Sequence, residues 1–399
     1  MKYCQICSKK LILNILNLGK HPLCDDLIPI GEKKKSKLYK VNISYCKNCF
    51  TAFQMHNVSK KKLFPSNYHY RAKLTQDVLT GMKELVYDLK KETSLNKKVV
   101  LDIGCNDGSL LNIFKKKGCI TLGVEPTNAS IDAKNYGHTI YRSYFNKKIV
   151  KKIKKKFKKI DIITFTNVFA HIENFKELVK NLKLLMGNNT ILVIENHYLG
   201  AVLNKFQFDT FYHEHPRTYS LNSFLKISEL LNVKLIKYSF PKRYSGNIRV
   251  YFNNDENKVL KKTDQILIKE KKFEKKFNLM QKKILTWKKN KKKFFKDLLN
   301  KYGPLPAKAF PGRAAIILNY LKLNEKNIKC VYEKDNSPKI NHYVPGTRIP
   351  IIKEKEILKE TPTVPIINLA WHISKEIKLY LSKLKLKNKV IDIISPKDF

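Results

Sequence analysis

Arginine is scarce in this chain: of 80 basic residues seven are arginine and the other 73 are lysine. Acidic residues are few as well, 33 in all, which leaves a formal net charge of +47. A surplus of that size invites a nucleic-acid partner. The lysines, however, lie in nearly every segment among abundant Asn and Ile, whereas nucleic-acid sites cluster Lys with Arg and aromatics on one face. The excess therefore reads as solvated lysine surface, able to collect an anionic nucleotide, with no stable nucleic-acid partner expected. Long apolar runs are missing: none approaches the roughly 18 residues of a membrane span. The N-terminus has no apolar leader, because Cys4 and Cys7 stand where one would lie, and a cytoplasmic protein is expected. Eight cysteines in 399 residues are too sparse for a disulfide framework and suit a reducing compartment. What remains is a chain that is 43% hydrophobic, long enough for two or three domains with sizeable cores.

Four of the cysteines are patterned. Cys4-x-x-Cys7 and Cys46-x-x-Cys49 are two knuckles 38 residues apart. Each brings two sulfurs from one tight turn, and four thiolates close a tetrahedral Zn²⁺ site with no open position, so the metal would be structural. Cys24 and His21, between the knuckles, read as packing or loop residues.

Residues 99–111, VVLDIGCNDGSLL, organise the middle of the chain. A β-branched apolar run predicts a buried strand, and Gly104 and Gly108 punctuate a turn into a helix opening near Ser109. Such a turn lets a ligand approach the backbone at the carboxyl edge of a parallel sheet. The third glycine of GxGxxG is absent, and Asp102 and Asp107 would repel a pyrophosphate. They suit a cofactor carrying an amino group and a sulfonium, S-adenosylmethionine, with Asn106 in the same loop. Glu125 ends the next predicted strand 21 residues after Gly104, placed to accept hydrogen bonds from ribose hydroxyls. Strands and helices alternate onward to residue 195, which predicts a doubly wound parallel sheet. Asn167 and His171 fall just past one strand end on the cofactor side.

Residues 208–220, FDTFYHEHPRTYS, are the densest chemical cluster. Tyr212, His213, Glu214 and His215 stand in a row before Pro216, in a stretch that fits neither helical nor strand periodicity, so a loop is expected. Histidine titrates nearest neutrality and suits removal of a proton beside a carbonyl, with a neighbouring carboxylate to orient it. A metal site is the weaker reading, since HEH lacks the i, i+4 pairing of HExxH. A closing strand follows at residues 245–252. A Lys-rich helix is expected from about residue 257 to 300, with an apolar stripe of Phe273, Phe277, Met280, Ile284, Trp287, Phe294 and Leu298, one slot of which is Lys291. Such a helix could lie on a membrane surface; docking on the C-terminal domain is the reading preferred. A second strand, glycine turn and helix follow, in LPAKAFPGRAAIILNYL, where Arg313 could meet a phosphate.

These pieces, in this order, resemble the sugar C-methyltransferase family, which acts on nucleotide-activated keto-deoxysugars, and the resemblance covers essentially the whole chain. The cysteine knuckles resemble its zinc domain, VLDIGCNDGSLL and VEP its S-adenosylmethionine site, TNVFAHIENF the segment after its fourth strand, and FDTFYHEHPRTYS its YHEH loop. SGNIRVYF, FPGRAAIILNYL, YEKDNSPKINHYVPGTRIPI and INLAWH are similar to later segments. Three places depart from the family pattern: AFPGRAA replaces a glycine-rich turn, Ser245 replaces a glycine, and Pro216 directly follows His215. The resemblance implies an α/β protein with a Rossmann-like S-adenosylmethionine methyltransferase domain (63–254). A small zinc-binding domain (1–62) would precede it and a second Rossmann-like α/β lobe (255–399) follow. It implies His215 as general base with Tyr212 and Glu214 assisting, a tyrosine from SNYHYR (Tyr68 or Tyr70) in the same pocket, and Arg249, Arg313, Lys339 and Tyr343 toward the sugar nucleotide. A monomer is expected, with a dimer open. Methylation at C3 of a 4-keto-6-deoxysugar is the implied reaction. The alternatives are another sugar carbon, a nucleic-acid methyltransferase favoured by charge and knuckles, or a non-catalytic cofactor-binding protein.

Overall fold

The computed structural model describes residues 2–243, 246–254 and 264–399. Ser245, and the part of the expected long helix between residues 257 and 263, lie outside the described residues.

Three sheets organise the chain. The first is antiparallel, in the order Ile12–His21, Tyr39–Tyr45, Ala52–Gln54, Arg217–Thr218. Its last strand comes from far along the sequence, directly after the histidine cluster. The second has seven strands in the order Lys234–Ser239, Asn247–Asn253, Ile191–His197, Ile162–Thr166, Val99–Ile103, Ile120–Val124, Thr139–Tyr141. The last five run parallel, and Asn247–Asn253 is antiparallel to both its neighbours. Val99–Ile103 reads VVLDI with every residue after the first buried, the continuous apolar run that a strand covered by helices on both faces requires. Strand order reverses on either side of it, and the crevice at such a switch point, past the carboxyl ends of the strands, is where α/β sheets hold ligands.

The third sheet repeats the device. Val390–Asp392, Ile366–Asn368, Leu305–Lys308, Ile328–Glu333 and Pro350–Lys353 are parallel, and His342–Tyr343 adds an antiparallel edge. The outermost strand, Ile28–Pro29, belongs to the N-terminal segment. The expected alternation of strands and helices is therefore present in both α/β units, and each exchanges a strand or a partner with the N-terminal sheet.

The Lys-rich helix is broken into Asp264–Glu270 and Phe273–Tyr302. Phe273, Phe277, Met280, Ile284 and Trp287 are each at most 1% exposed. They pack on the first strand of the N-terminal sheet and on helices Leu199–Asn204 and Ala314–Leu321. At about 1.5–3 kcal/mol per large buried apolar side chain, this face is intramolecular core and not a membrane-facing stripe. The stripe leaves the expected line at its end. Lys291 takes the slot after Trp287 and pairs with Asp398 at 2.8 Å, and Phe295 is buried where Phe294, 37% exposed, was expected. A period of 3.6 drifts about 20° per heptad against a 4-3 pattern, about half a residue over the five or so turns from Phe273 to Lys291. Trp287→Ala should accordingly lower unfolding free energy by about 3–5 kcal/mol and Phe294→Ala by less than about 1 kcal/mol, read by denaturant titration; equal effects would overturn this facing.

Candidate functional site

One cavity of about 900 Å³ collects the carboxyl ends of both parallel sheets. Gly104, Asn106, Glu125, Asn167 and His171 line it from one side, Ala309, Phe310, Arg313, Glu333 and His372 from the other, and Tyr212, Glu214 and His215 from between.

The glycine turn is tightly built. Gly104 has φ +73°, and a Cβ there would lie 2.5 Å from Val168 Cγ2, so only glycine fits. Its amide donates to Val124 O at 2.7 Å. The Asn106 amide donates to Glu125 Oε2 at 3.1 Å, and the Thr127 amide and hydroxyl donate to Oε1 at 2.9 and 2.6 Å. The carboxylate is thus held, 5% exposed, at the cavity wall. Asp102 accepts a 2.7 Å bond from Thr164 Oγ1, yet burial pushes its carboxyl up to about 7. Asn167, at φ +55°, accepts from Asn247 Nδ2 at 3.2 Å. This electronegative lining, with a glycine turn and a ribose-ready carboxylate, fits S-adenosylmethionine.

Two residues of that loop serve the fold instead. Asp107 is fully buried and off the cavity wall: its Oδ1 takes Ser109 N and Oγ at 3.1 and 2.6 Å, and its Oδ2 takes Lys73 N at 2.8 Å. It starts the helix Ser109–Lys115 and pins the preceding segment. Gly108, φ +78°, packs where a Cβ would touch Ala133 at 3.0 Å. Both were expected at the cofactor, and neither is among the residues that line the cavity.

The histidine loop begins with a single turn, Phe208–Thr210, and ends in the strand Arg217–Thr218. His215 Nδ1 lies 3.0 Å from Thr210 O. A carbonyl only accepts, so Nδ1 carries the hydrogen and Nε2 keeps its lone pair. The ring stacks on His171 at 5.0 Å and packs beside His197 and Tyr212 at 5.2 and 4.2 Å. Burial first, then the neighbouring His171 and His197, hold His215 well below the usual histidine range. His171 Nδ1 donates to Glu214 O at 2.5 Å. The Glu214 carboxyl is pushed well above the usual carboxylate range, by burial first and then by Asp25, and Tyr68 Oη donates to its Oε2 at 3.4 Å. Tyr70 also reaches the cavity wall, 38% exposed. His213 faces the other way, toward Tyr39 O at 3.3 Å.

The residues expected to meet the sugar nucleotide divide. Lys339 lines the cavity and donates to Phe310 O at 2.7 Å. Arg313 lines it too, 7% exposed, in a two-pronged pair with Asp209 (2.7 and 2.6 Å) over the Trp371 ring. Arg249 does not line it. Its guanidinium is spent on Glu195 at 2.7 Å, Asp88 at 3.1 Å and Gly81 O at 3.0 Å, a buried charge matched on every side. Tyr343 also lies elsewhere, bonding Gly31 N at 3.2 Å at the sheet edge. Both were expected toward the sugar nucleotide, and the structure places both in contacts of the fold, off the cavity wall.

Sequence reasoning missed His197, His372, Lys308 and Glu333 on the cavity wall. Each stands at or just after the carboxyl end of a parallel strand, the position that signals a site in α/β sheets. A single lysine among 73 carries no such signal on its own.

At the N-terminus the Sγ atoms of Cys4, Cys7, Cys46 and Cys49 lie within 4.8 Å of one another. The amides of Ile6 and Cys7 point at Cys4 Sγ, at 3.3 and 3.4 Å. Zn–S bonds of about 2.3 Å place sulfurs about 3.8 Å apart, so the set fits a structural Zn²⁺. The Ser220 and Ser223 hydroxyls bond Cys49 O at 3.2 and 3.1 Å, tying this corner to the end of the histidine loop.

Residues 4–64 match the family model described as "Putative zinc binding domain", residues 71–238 "Methyltransferase domain", and residues 243–391 "C-methyltransferase C-terminal domain". Among curated proteins the chain is similar to C-methyltransferase NovU of Streptomyces niveus, 24% identical over 251 residues, 62% of this chain and 60% of that protein. The match thus spans three fifths of that relative's length. Among solved structures, a SAM dependent methyltransferase from Archaeoglobus fulgidus is 18% identical with TM-score 0.36, covering 45% of this chain and 98% of its own. Magnesium protoporphyrin IX methyltransferase from Synechocystis with bound SAH is 14% identical with TM-score 0.35, covering 44% and 83%.

Two predictions follow from the charges. Arg249→Ala takes Asp88's cation away and leaves Glu195 with Arg243 alone, at 3.2 Å, and should cost about 3–5 kcal/mol in unfolding free energy without weakening ligand affinity at the cavity; a pure affinity loss would overturn the structural role. Burial also holds His197 at about 3 and His213 at about 4. Below the usual pKa of about 6.5 the unfolded chain takes up protons that the folded one refuses. Tm should therefore fall as pH drops from about 6.5 toward 4, and less steeply in His213→Gln; a flat profile would contradict it.

Proposed function

We propose that this chain, which belongs to the C-methyltransferase family composed of those three domains, methylates the carbon beside the ketone, C3, of a nucleotide-activated 4-keto-6-deoxysugar. The observation that carries the reading is His215: a buried, neutral imidazole with its Nδ1 hydrogen committed to Thr210 and its Nε2 free, on a cavity shared by the cofactor turn and the C-terminal lobe. S-adenosylmethionine supplies an electrophilic methyl on a cationic sulfur, which leaves with the C–S bonding pair. The work of the protein is to make the sugar carbon nucleophilic. His215 Nε2 takes the proton beside the ketone, and the C–H pair moves into an enolate. The Glu214 carboxyl, whose hold on its proton burial strengthens, and the Tyr212 hydroxyl are the groups at hand to donate to the developing oxyanion. The walls from both lobes exclude water and hold the reacting carbon in near-attack geometry. Afterwards His215 returns its proton to solvent, which low basicity favours.

Mass spectrometry of a panel of nucleotide 4-keto-6-deoxysugars, incubated with S-adenosylmethionine in D₂O, tests this. One added methyl on a sugar is expected, with deuterium uptake beside the ketone when the cofactor is withheld. His215→Gln should bind cofactor normally and lose about 10²–10⁴ in turnover together with the deuterium exchange. Near-normal turnover would remove His215 as base, and methylation at another carbon would correct the position.

A further inference from the structure

The two parallel sheets build the same half-site twice. In the methyltransferase unit the strand Val99–Ile103 ends at a residue of positive φ, Gly104, whose amide donates to Val124 O at 2.7 Å. Two residues on, the Asn106 amide donates to the carboxylate of Glu125, immediately after the neighbouring strand. In the C-terminal lobe the strand Leu305–Lys308 ends at Ala309, φ +64°, whose amide donates to Tyr332 O at 3.0 Å. The next amide, Phe310, donates to Oε1 of Glu333, which ends the neighbouring strand Ile328–Glu333. Ala309 is not glycine, so this left-handed residue is held by its surroundings at some cost. Ala309, Phe310 and Glu333 all line the cavity.

From this repetition we propose that Glu333 is a specificity-determining carboxylate for the substrate's nucleoside, accepting the 2′- and 3′-hydroxyls of a ribose, so that the sugar is carried on a ribonucleoside diphosphate and not a 2′-deoxyribonucleoside diphosphate; this rests on the sugar-nucleotide reading above. A carboxylate whose Oε1 is committed to the Phe310 amide offers Oε2 and its remaining lone pairs to hydroxyl donors. A cis-diol presents two donors, a 2′-deoxyribose one. A site shaped for a hydroxyl discriminates against the analogue without it, because an acceptor is left unpaired. A second observation points to the phosphates. Arg313 is 7% exposed and its Nη1 has no hydrogen-bond partner among the described residues. It stands three residues beyond Phe310 on the same cavity wall, bonded to Asp209 at the head of the histidine loop. The wall thus runs from ribose acceptor through a cation with an open donor to the catalytic loop, the order nucleoside, diphosphate, sugar.

Binding of matched pairs to the full-length zinc-loaded chain tests this: UDP against dUDP, GDP against dGDP, CDP against dCDP, by calorimetry. For the base that binds, the ribonucleotide should bind about 10- to 100-fold more tightly than its 2′-deoxy partner. In Glu333→Gln the amide oxygen still accepts from Phe310 and the NH₂ cannot accept a hydroxyl, so Tm should hold while the ratio falls to near one. Glu333→Asp should keep part of the discrimination. Equal binding of a pair by the wild type, or full discrimination retained in Glu333→Gln, would overturn the role of Glu333 and leave the sugar-nucleotide reading standing. Tight binding of dTDP with no pair binding would overturn the role of Glu333 alone, and failure of every pair and of dTDP would overturn both.

Discussion

The buried pair between Asp209 and Arg313 is the contact on which the rest of the site depends. Asp209 stands at the head of the histidine loop and Arg313 at the start of a helix in the C-terminal lobe. Both carboxylate oxygens are engaged by the guanidinium, and Trp371 Nε1 adds a third donor at 2.9 Å. Two charges taken out of water attract strongly only when geometry and hydrogen bonding are this complete. The loop that carries Tyr212, Glu214 and His215 is thus fastened to one lobe at its beginning. At its end, Arg217–Thr218 is fastened to the N-terminal sheet, and Ser220 to Cys49. A loop anchored on both sides in this way can hold an imidazole buried and neutral, which an unrestrained loop exposed to water would not.

The domains are therefore not three beads. The N-terminal segment lends the strand Ile28–Pro29 to the C-terminal sheet and receives Arg217–Thr218 into its own, while the long helix lays its apolar face across the first strand of that N-terminal sheet and Ala314–Leu321 of the C-terminal lobe. This strand exchange gives the four-thiolate corner a structural part beside the cavity. The four-thiolate corner is tied to the sheet that holds the end of the histidine loop. The same arrangement explains why cavity residues come from such distant parts of the chain, Tyr68 beside Glu214 and Arg313 beside Asp209.

Much of this was legible from residues alone, for local reasons. Cysteine spacing, the glycine turn with its β-branched strand, and Glu125 at the next strand end are short-range patterns with short-range physics, and the adjacent Tyr, Glu and His of the histidine loop announce themselves by composition. Where the reading failed, the deciding partner was remote. Arg249 looks like a ligand group until Glu195, Asp88 and Gly81 are brought around it, and Asp107 looks like a cofactor contact until the Lys73 amide arrives. Phe294 yields to Phe295 because helical drift is settled by what the helix packs against.

The sequence by itself determined the succession of units, the thiolate set, the glycine turn and the Tyr-His-Glu-His cluster, since each is written in neighbouring residues and follows from backbone conformation and periodicity. Only the tertiary structure decided which charged groups face the cavity and which are consumed in the fold, and that Glu333 repeats the place of Glu125. It also set the surroundings of the groups in the histidine loop: burial holds His215 well below the usual histidine range and pushes Glu214 well above the usual carboxylate range. Desolvation depends on everything that packs around a group, and no stretch of chain contains that information alone.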